Sequence, residues 1–470
     1  MSAASIIAST LLRAGVTFQV SIQKQVTLEG VEWIKATSSP GEHVLAFTDF
    51  GTGQRELLLK KLGAFQILVC DHHEPPGEVA GTTAGDGAFA TKEGGAFLEL
   101  NPHYHGIDGG REISGAGVTY VACKNLGPRN EDLAPMAVVG AVGDRQDQED
   151  QHQLTGFNQV ILEDGIKLGL VDSVYGIRVF GRETRPLAKA LAYTTDPYIP
   201  GLSGNPDACS RFLVDLGLKL EDESGRPRTF SDLTRDEVID FTSELTSFLA
   251  QHGENSLVVQ ELIAVNYILP REPKGSFTRD VREFGFLLNS CGRLDRAGLG
   301  VAIGMGARGA FLEEAEVAIA EYRGTLSSAL DVIETNSLLQ QMDHVQFFYG
   351  GGLIPEKVVG TVCSLVLGSP GTPEKVIVGL ADSEEANLLK VSLRGPTTVV
   401  QDPVHNPSGV HLGEIMHEAS AHFNLENPAG GHAAACGAYI PRELMDDFLR
   451  FVDERVGRKL SLVEDDAFSG

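Results

Sequence analysis

The segment Gln66–His73, with the sequence QILVCDHH, decides the fold of this chain. Its first part, through Cys70, is a short apolar run typical of a buried strand, and the polar residues Asp71, His72 and His73 follow at once. Neighbouring residues of an extended chain point in opposite directions, so one histidine can face a metal ion while the next faces a substrate. The segment therefore predicts a strand with a chemically active end.

A second strand of the same kind precedes this one. Val44–Phe47 is apolar and leads into Thr48 and Asp49, and residues 54–62 have the apolar spacing of a helix. Short apolar strands that alternate with helices are typical of a doubly wound parallel sheet, so we predict an α/β fold. Because ligands of such sheets bind beyond the carboxyl ends of the strands, we expect Asp49 and the Asp-His-His motif at the binding edge.

A third acidic residue belongs to the same group. Asp144 follows an apolar segment predicted to be a helix over residues 133–142. Carboxylates and imidazoles gathered at one sheet edge would suit a hard cation such as Mn²⁺ or Mg²⁺. A hydrogen-bonded network that merely caps the strand ends is the alternative.

The last third of the chain contains a second α/β unit with features of a phosphate site. In the predicted strand Leu388–Arg394, the residues Lys390, Ser392 and Arg394 alternate onto one face. Further on, Gly430, Gly431 and His432 stand where glycines would allow close approach of a ligand to the backbone. Ordinary glycine-rich packing is the alternative.

Composition shifts divide the chain into three parts. Turn-forming residues concentrate between 194 and 206, and residues 206–270 are polar and amphipathic, which predicts a helical linking module. We predict domains at 1–195, 196–335 and 336–460. Within the first, Arg178, Arg182 and Arg185 form a basic patch that either lines a nucleic-acid channel or pairs with carboxylates.

Composition and charge limit the functional classes. The chain has 470 residues, of which 42% are hydrophobic and 22% charged, which excludes wholesale disorder. Its 64 acidic and 38 basic residues give a net charge of −26, which argues against a non-specific DNA coat. We expect any polyanionic substrate to be held by a local basic pocket or by bound cations.

The cysteines and the hydropathy of the chain argue against further classes of protein. The six cysteines are scattered without a CxxC pair, which disfavours zinc knuckles and redox dithiols and predicts buried reduced thiols. No run approaches the ~18 apolar residues of a membrane span, and the N-terminus lacks the pattern of a secretory signal. We therefore expect a cytoplasmic protein without a membrane partner.

The ordered motifs together resemble the DHH phosphoesterase superfamily, and within it the RecJ-like single-strand exonucleases of archaea, the GINS-associated nuclease group. The resemblance runs over nearly the whole chain. Its motifs are Thr48–Gly53, Cys70–Pro76, Ser114–Gly117, Gly140–Asp144, Phe180–Leu187, Leu288–Leu294 and Gly430–His432.

The resemblance implies a DHH domain, a helical linking module and a C-terminal DHH-associated domain that binds substrate. It implies two Mn²⁺ or Mg²⁺ ions in the family, with Asp49, His72 and Asp144 as metal ligands and His73 and Asp71 as catalytic residues. The residues implied to bind the phosphates of the nucleic acid are Arg293, Ser392, Arg394, Gly430, Gly431 and His432.

One departure from the family pattern concerns the N-terminus. The family opens with a strand and a His-x-Asp-Ala-Asp-Gly motif before its first helix, and residues 2–12 look like that helix. We therefore expect an N-terminally incomplete DHH domain that lacks its first strand, holds at most one ion and shows little turnover as given. Either the start is truncated and the natural protein is active, or the chain is an inactive paralogue; the retained Asp49, Asp71–His73 and Asp144 favour the former.

Three functions follow as expectations. The first is a metal-dependent phosphodiester hydrolase, a RecJ-like exonuclease acting on single-stranded DNA or RNA in replication or repair. The second is a catalytically inactive replication scaffold that binds the GINS complex. The third is a phosphodiesterase of small nucleotides or oligoribonucleotides, which the length of the chain disfavours. The sequence leaves open DNA or RNA, the polarity of digestion and GINS binding.

Overall fold

The structure is a computed structural model. It describes residues 1–23, 26–75, 89–127, 129–147, 150–194, 199–251, 262–368, 372, 374–396, 398–401, 406, 408–425, 430–431 and 433–467. The chain forms two compact units, Met1–Ile319 and Ala320–Gly470. The predicted domain boundaries at 195 and 335 stay predictions.

Helices make up much of the described chain. In the first unit they are α1 (Ser2–Arg13), α2 (Leu28–Thr37), α3 (Arg55–Leu62), α4 (Gly115–Lys124), α5 (Ala134–Gly143), α6 (Gly156–Lys167), α7 (Leu187–Ala192), α8 (Pro206–Asp215), α9 (Arg235–Gln251), α10 (Val281–Arg293) and α11 (Ala297–Gly304). The helix α12 (Ala310–Thr335) begins in the first unit and ends in the second. The second unit adds α13 (Val359–Gly368), α14 (Leu412–Phe423) and α15 (Met445–Ala467).

The strands form separate sheets in the two units. The first unit contains β1 (Val44–Thr48), β2 (Gln66–Cys70), β3 (Phe89–Ala90), β4 (Ala96–Leu100), β5 (Asp172–Ile177) and β6 (Ile263–Ile268). The second contains β7 (Gln340–Gln341), β8 (Val345–Tyr349), β9 (Val376–Asp382), β10 (Leu388–Arg394), β11 (Gly430–Gly431) and β12 (Ala435–Pro441).

The sheet that carries the Asp-His-His motif has the strand order β1-β2-β4-β3. Its strands β1, β2 and β4 are parallel, and only β3 runs antiparallel to its neighbour β4. Thr48 pairs with Cys70 and Cys70 with Leu100, so all three parallel strands end at one edge. The predicted α/β fold with a parallel sheet is confirmed.

Apolar residues explain why this sheet and its helices hold together. Leu58 and Leu62 of α3 pack with Phe47, Val69 and Phe97 from the strands in a buried cluster. Burial of such side chains stabilises the fold by about 1.5–3 kcal/mol each. The edge that carries the motif is thereby held on a packed base.

A second core joins the helices behind that edge. Buried residues of α1, α4, α5 and α10 share one cluster, represented by Ile6, Tyr120, Val139 and Phe284. Where α5 and α10 meet, a Cβ atom on Gly285 would lie 3.4 Å from the Cα of Gly143. Glycine at both positions lets the two helices approach closely just before Asp144.

The segment 206–270 differs from its prediction. It contains α8 and α9, but it was expected to be helical throughout and instead ends in β6, which pairs antiparallel with β5. The pairing partner of Ile263–Ile268 lies about ninety residues upstream, so the local pattern does not reveal it. That part of the prediction was wrong.

The second unit contains a six-stranded sheet in the order β11-β12-β10-β9-β8-β7. Its strands β8 and β9 are parallel, and the other neighbouring pairs are antiparallel. The strand Leu388–Arg394 and the helix α14 have the bounds expected from the sequence. All six cysteines are buried free thiols, as predicted. No helix in the described part of the chain combines the length and hydropathy needed to cross a bilayer.

Candidate metal centre at the edge of the parallel sheet

Asp49 occupies an unusual backbone conformation at the end of β1. Its φ angle is 69°, in the left-handed region that only Gly, Asn and Asp adopt with any ease. Its main-chain N–H donates to the carbonyl of Cys70 at 2.8 Å, which ties the turn to the neighbouring strand. A Cβ atom on Gly115 would lie 2.1 Å from Asp49 Oδ1, so glycine there leaves room for the carboxylate.

His72 lies buried between two carboxylates, with 2% of its surface exposed. Its Nδ1 is 2.6 Å from the carbonyl oxygen of Gly109, and because a carbonyl can only accept, this nitrogen carries the proton. The other nitrogen, Nε2, lies 3.3 Å from Asp49 Oδ1 and 3.6 Å from Asp144 Oδ2. The structure thus brings together the three residues predicted as metal ligands.

The donors are of the kind that a divalent cation binds, and the two carboxylates lie near His72 Nε2. Atoms that bind one Mn²⁺ or Mg²⁺ at about 2.1 Å lie about 3.0 Å apart when adjacent in an octahedron, and the observed separations are only a few tenths of an ångström longer. The His72 tautomer leaves Nε2 as the ligand atom, as second-sphere partners of metal-binding histidines usually do. As placed, however, no group of three or more His, Cys, Asp or Glu side chains within the described ranges is arranged to hold a metal ion.

The charges of this group are strongly coupled. Burial opposes the protonated form of His72, but the hydrogen bond to Asp49 and the charges of Asp144 and Asp49 raise its pKa to about 10. Burial also acts to raise the pKa of Asp49, and the contacts with His72 outweigh it, so that pKa is lowered. The pKa of Asp144 is raised to about 6 by burial and by the charge of Asp49. Nε2 of His72 therefore carries a proton that a bound cation would have to displace.

The site is nevertheless open to solvent. The side chain of Asp49 is 53% exposed and that of Asp144 is 41% exposed, although both lie in a concave surface. Asp49 and Asp144 line a cavity of about 140 Å³ together with Ser114 from the start of α4 and Asn289 from α10. A substrate group can therefore reach the carboxylates directly.

Asp71 has a different place from the one its predicted catalytic role suggested. It is buried, and its Oδ1 accepts hydrogen bonds from the main chain of His72 at 2.8 Å and from His73 Nδ1 at 2.8 Å. Its Oδ2 accepts from the main chain of Thr52 at 2.9 Å. Burial opposes the charged form, but these bonds, above all that of His73, lower the pKa of Asp71 to about 2. The carboxylate fixes the motif from behind, and a catalytic role for it stays a prediction.

The imidazole of His73 is half-exposed and lies beside that of His72. Its side chain is 46% exposed, and its ring centroid lies 4.5 Å from that of His72. Burial opposes protonation, but the hydrogen bond to Asp71 and its charge raise the pKa of His73. The side chain can thus offer a positive charge to an anionic substrate.

Gln146 and Asn158 are polar residues of the site that sequence reasoning missed. Gln146 lies two positions after Asp144, and its side-chain nitrogen donates to Asp144 Oδ2 at 3.0 Å and to the carbonyl of Gly109 at 2.8 Å. Its side-chain oxygen accepts from Asn158 at 2.7 Å. The nearness of a glutamine to Asp144 is the only sequence signal, and it is weak.

The predicted phosphate-binding residues fall in both units. Arg293 is exposed at the last turn of α10, one turn beyond Asn289 and on the same helix face. In the second unit Lys390, Ser392 and Arg394 share a face of β10, as expected from their alternation.

Glycines make room around that face of β10. A Cβ atom on Gly437 would lie 3.3 Å from Lys390 Nζ, and one on Gly360 would lie 2.6 Å from a guanidinium nitrogen of Arg394. Gly430 and Gly431 form the short strand β11 beside β12, whereas His432 lies outside the described residues. The substrate-binding role of these residues stays a prediction.

The side chains of the predicted basic patch contact partners within the structure. Arg178 is buried and its Nη2 donates to Asp147 Oδ2 at 2.6 Å. Arg182 Nη1 lies 3.8 Å from Glu183 Oε1, and Arg185 stacks over the ring of Phe180 at 4.9 Å. For Arg178, pairing with a carboxylate is the arrangement found.

Comparisons with known proteins agree with this architecture. A family model described as the DHH-CID domain matches residues 179–263, and one described as the DHHA1 domain matches residues 344–458. An uncharacterised protein of Methanocaldococcus jannaschii is 24% identical over 473 aligned residues, which cover 98% of this chain and 91% of that protein.

Solved structures show the same fold. RecJ from Thermus thermophilus in complex with Mn²⁺ aligns with a TM-score of 0.52 and 14% identity, over 97% of this chain and 50% of that one, so the chain spans half the length of that RecJ. CDC45 from Entamoeba histolytica aligns with a TM-score of 0.59 and 9% identity, over 97% of this chain and 93% of that one. Members of the superfamily to which the matched domains belong are metal-dependent phosphoesterases. The two matched domains and the likeness in fold to RecJ and CDC45 together support a RecJ-like protein of the DHH phosphoesterase superfamily.

Proposed function

We propose that this chain hydrolyses phosphodiester bonds with a divalent cation, as a RecJ-like exonuclease on single-stranded nucleic acid. The observation that carries the proposal is His72, whose tautomer is fixed and whose Nε2 faces the carboxylates of Asp49 and Asp144 at an open sheet edge. Two carboxylates and an imidazole nitrogen beside one another are oxygen and nitrogen donors of the kind that bind Mn²⁺ or Mg²⁺. A bound metal ion would be contacted by all three side chains.

The roles of the residues follow from their chemistry. Asp49, His72 and Asp144 would hold the ion, and Mn²⁺ or Mg²⁺ bound there supplies Lewis acidity and lowers the pKa of bound water. In its protonated form, which the bond to Asp71 favours, His73 would donate a hydrogen bond to a phosphate oxygen. The cavity polar groups Ser114 and Asn289 orient the phosphate beside the carboxylates.

Binding of a nucleic acid must overcome the net charge of −26. Local cations are therefore needed, and the candidates are Arg293 in the first unit and Lys390 and Arg394 in the second. The likeness in fold to the exonuclease RecJ, which has been solved bound to manganese, supports a nucleic-acid substrate.

A non-catalytic replication scaffold is the second candidate. It is favoured by the absence, among the described residues, of a group of three side chains arranged to hold a metal ion, and by the likeness in fold to CDC45. A scaffold of this kind would bind a GINS-type partner and need no ion.

The test uses the full chain and measures metal binding and cleavage separately. Mn²⁺ binding is followed by the electron paramagnetic resonance signal of free Mn²⁺, and cleavage with DNA and RNA single strands labelled at either end, with protein in excess so that slow turnover is seen. We expect Mn²⁺-dependent release of mononucleotides, lost in His72→Ala and Asp144→Asn and kept in His417→Ala, an exposed histidine of α14. A wild-type protein that binds Mn²⁺ yet leaves every strand intact would overturn the exonuclease proposal and favour the scaffold.

A further inference from the structure

Gln146 is the residue that connects two of the three proposed metal ligands. Its side chain is 3% exposed, so water cannot replace its hydrogen bonds. The two hydrogens of its amide nitrogen are directed to Asp144 Oδ2 at 3.0 Å and to the carbonyl oxygen of Gly109 at 2.8 Å. That carbonyl also accepts the Nδ1 proton of His72 at 2.6 Å. One amide group therefore contacts Asp144 directly and His72 through a shared acceptor.

The orientation of this amide is imposed from the far side by Asn158, itself buried. The side-chain oxygen of Asn158 accepts from the main chain of Ser114 at 3.3 Å, and its nitrogen donates to the carbonyl of Arg111 at 3.3 Å. Because these backbone groups cannot change roles, Asn158 must offer its nitrogen to Gln146. A flipped Gln146 would set two nitrogens against each other at Asn158 and an oxygen against the carboxylate of Asp144.

We propose that Gln146, oriented by Asn158, is a positioning residue for the cation at Asp49, His72 and Asp144. It holds the Oδ2 atom of Asp144 toward His72 and stabilises the tautomer in which Nε2 of His72 is the ligand atom. The inference rests on the proposed metal-dependent function and deepens it, since it assigns part of the affinity for the ion to a neutral residue outside the ligand set. Partners of this kind typically contribute about 10–100-fold in metal affinity.

The experiment compares three variants of the full chain. Gln146→Met keeps the length of the side chain and removes both donors. Asn158→Asp leaves Gln146 in place but offers it only acceptors, so the amide should flip and turn its oxygen toward Asp144. Gln159→Met, next to Asn158 but exposed on α6, is the matched control.

Two measurements separate positioning from general stability. The first is the Mn²⁺ dissociation constant, from the resonance signal of free Mn²⁺ or from calorimetry, and the second is the thermal midpoint of the metal-free protein. We expect Gln146→Met and Asn158→Asp each to weaken Mn²⁺ binding by about 10–100-fold, and the double variant to weaken it little further, because both changes remove the same contact. Gln159→Met should stay within about twofold of the wild type.

The outcomes are distinguishable. If Gln146→Met and Asn158→Asp lower the thermal midpoint but bind Mn²⁺ as the wild type does, Gln146 is merely structural and the inference is overturned, while the proposed function stands. If the wild type itself binds no Mn²⁺ up to millimolar concentrations, the proposed function fails and the inference falls with it. Should Gln146→Met not fold, Asn158→Asp alone decides by the same criterion.

Discussion

Replacing Arg178 by methionine removes a buried guanidinium from its carboxylate partner. Arg178 is 7% exposed, and its Nη2 donates to Asp147 Oδ2 at 2.6 Å, while Nη1 lies 3.3 Å from His152 Nε2. Asp147 is buried as well, so the variant leaves a carboxylate without a counter-charge and without water. Breaking a buried pair in this way costs about 3–5 kcal/mol. The first unit should lose that much free energy of unfolding.

The chain offers a convenient probe for this measurement. Trp33 is its only tryptophan and lies in α2 of the same unit, so its fluorescence during urea unfolding reports on that unit. The double variant Arg178→Met/Asp147→Leu should recover most of the loss, because an apolar pair of similar volume needs no counter-charge. Arg211→Met, on the exposed side of α8, should change the free energy by less than about 0.5 kcal/mol.

A result can refute this reasoning in two ways. A loss below about 1 kcal/mol for Arg178→Met would mean that the pair contributes no more than an exposed ion pair. A stable variant with weakened binding of single-stranded oligonucleotides would instead place Arg178 in a nucleic-acid channel, the alternative that the sequence left open.

Three further predictions concern other parts of the molecule. The hydrogen bonds of Arg228 to Glu237, at 2.7 and 2.9 Å, are the main cause that lowers the pKa of Glu237 to about 2. Because that pKa lies below its ordinary value of 4.5, the stabilisation is complete above pH 4.5 and is lost as the pH falls toward 2. Glu237→Gln should therefore lower the free energy of unfolding by about 1–2 kcal/mol at pH 7 and by progressively less below pH 4.5. Urea unfolding at each pH measures this difference. Arg394→Met should weaken oligonucleotide binding equally for all sequences and reduce the salt slope by about 1, measured by fluorescence anisotropy, and a sequence-dependent loss would contradict a phosphate contact. Gly115→Ala should weaken Mn²⁺ binding at least about tenfold with an unchanged circular dichroism spectrum, since the added Cβ would lie 2.1 Å from an oxygen of Asp49. The control Gly176→Ala, where a Cβ meets no atom within 4 Å, should leave Mn²⁺ binding unchanged. Equal Mn²⁺ affinities of the two variants would show that the Asp49 carboxylate adapts freely.

Elements stabilised by their own sequence were predictable. The strand Leu388–Arg394 and the helix Leu412–Phe423 have the expected bounds because apolar periodicity and a capping residue act within a few positions. Residues 263–268 were not, because a strand paired with a segment about ninety residues upstream depends on contacts that no local window contains. The two-residue strand β7 is likewise defined only by its partner β8.

The candidate site could be predicted where its residues directly follow the end of a strand or helix. Asp49 and His72 each lie just after a parallel strand, and the parallel topology brings such ends to one edge, whereas Asp144 follows the helix α5. Gln146 could not be singled out, since a neutral glutamine in a loop has no distinctive signal until its three hydrogen-bond partners are known. The buried position of Asp71 behind the motif also required the fold.

The left-handed backbone at Asp49 limits how this position can change. A saturation library at codon 49, selected only for folded protein, should be enriched in glycine, asparagine and aspartate, because other side chains adopt that conformation at a cost. Selection for catalysis should retain aspartate alone. Asparagine is thus the replacement that keeps the backbone conformation and removes the charge. A lineage could therefore lose catalysis through a single codon change without losing the stability of the fold.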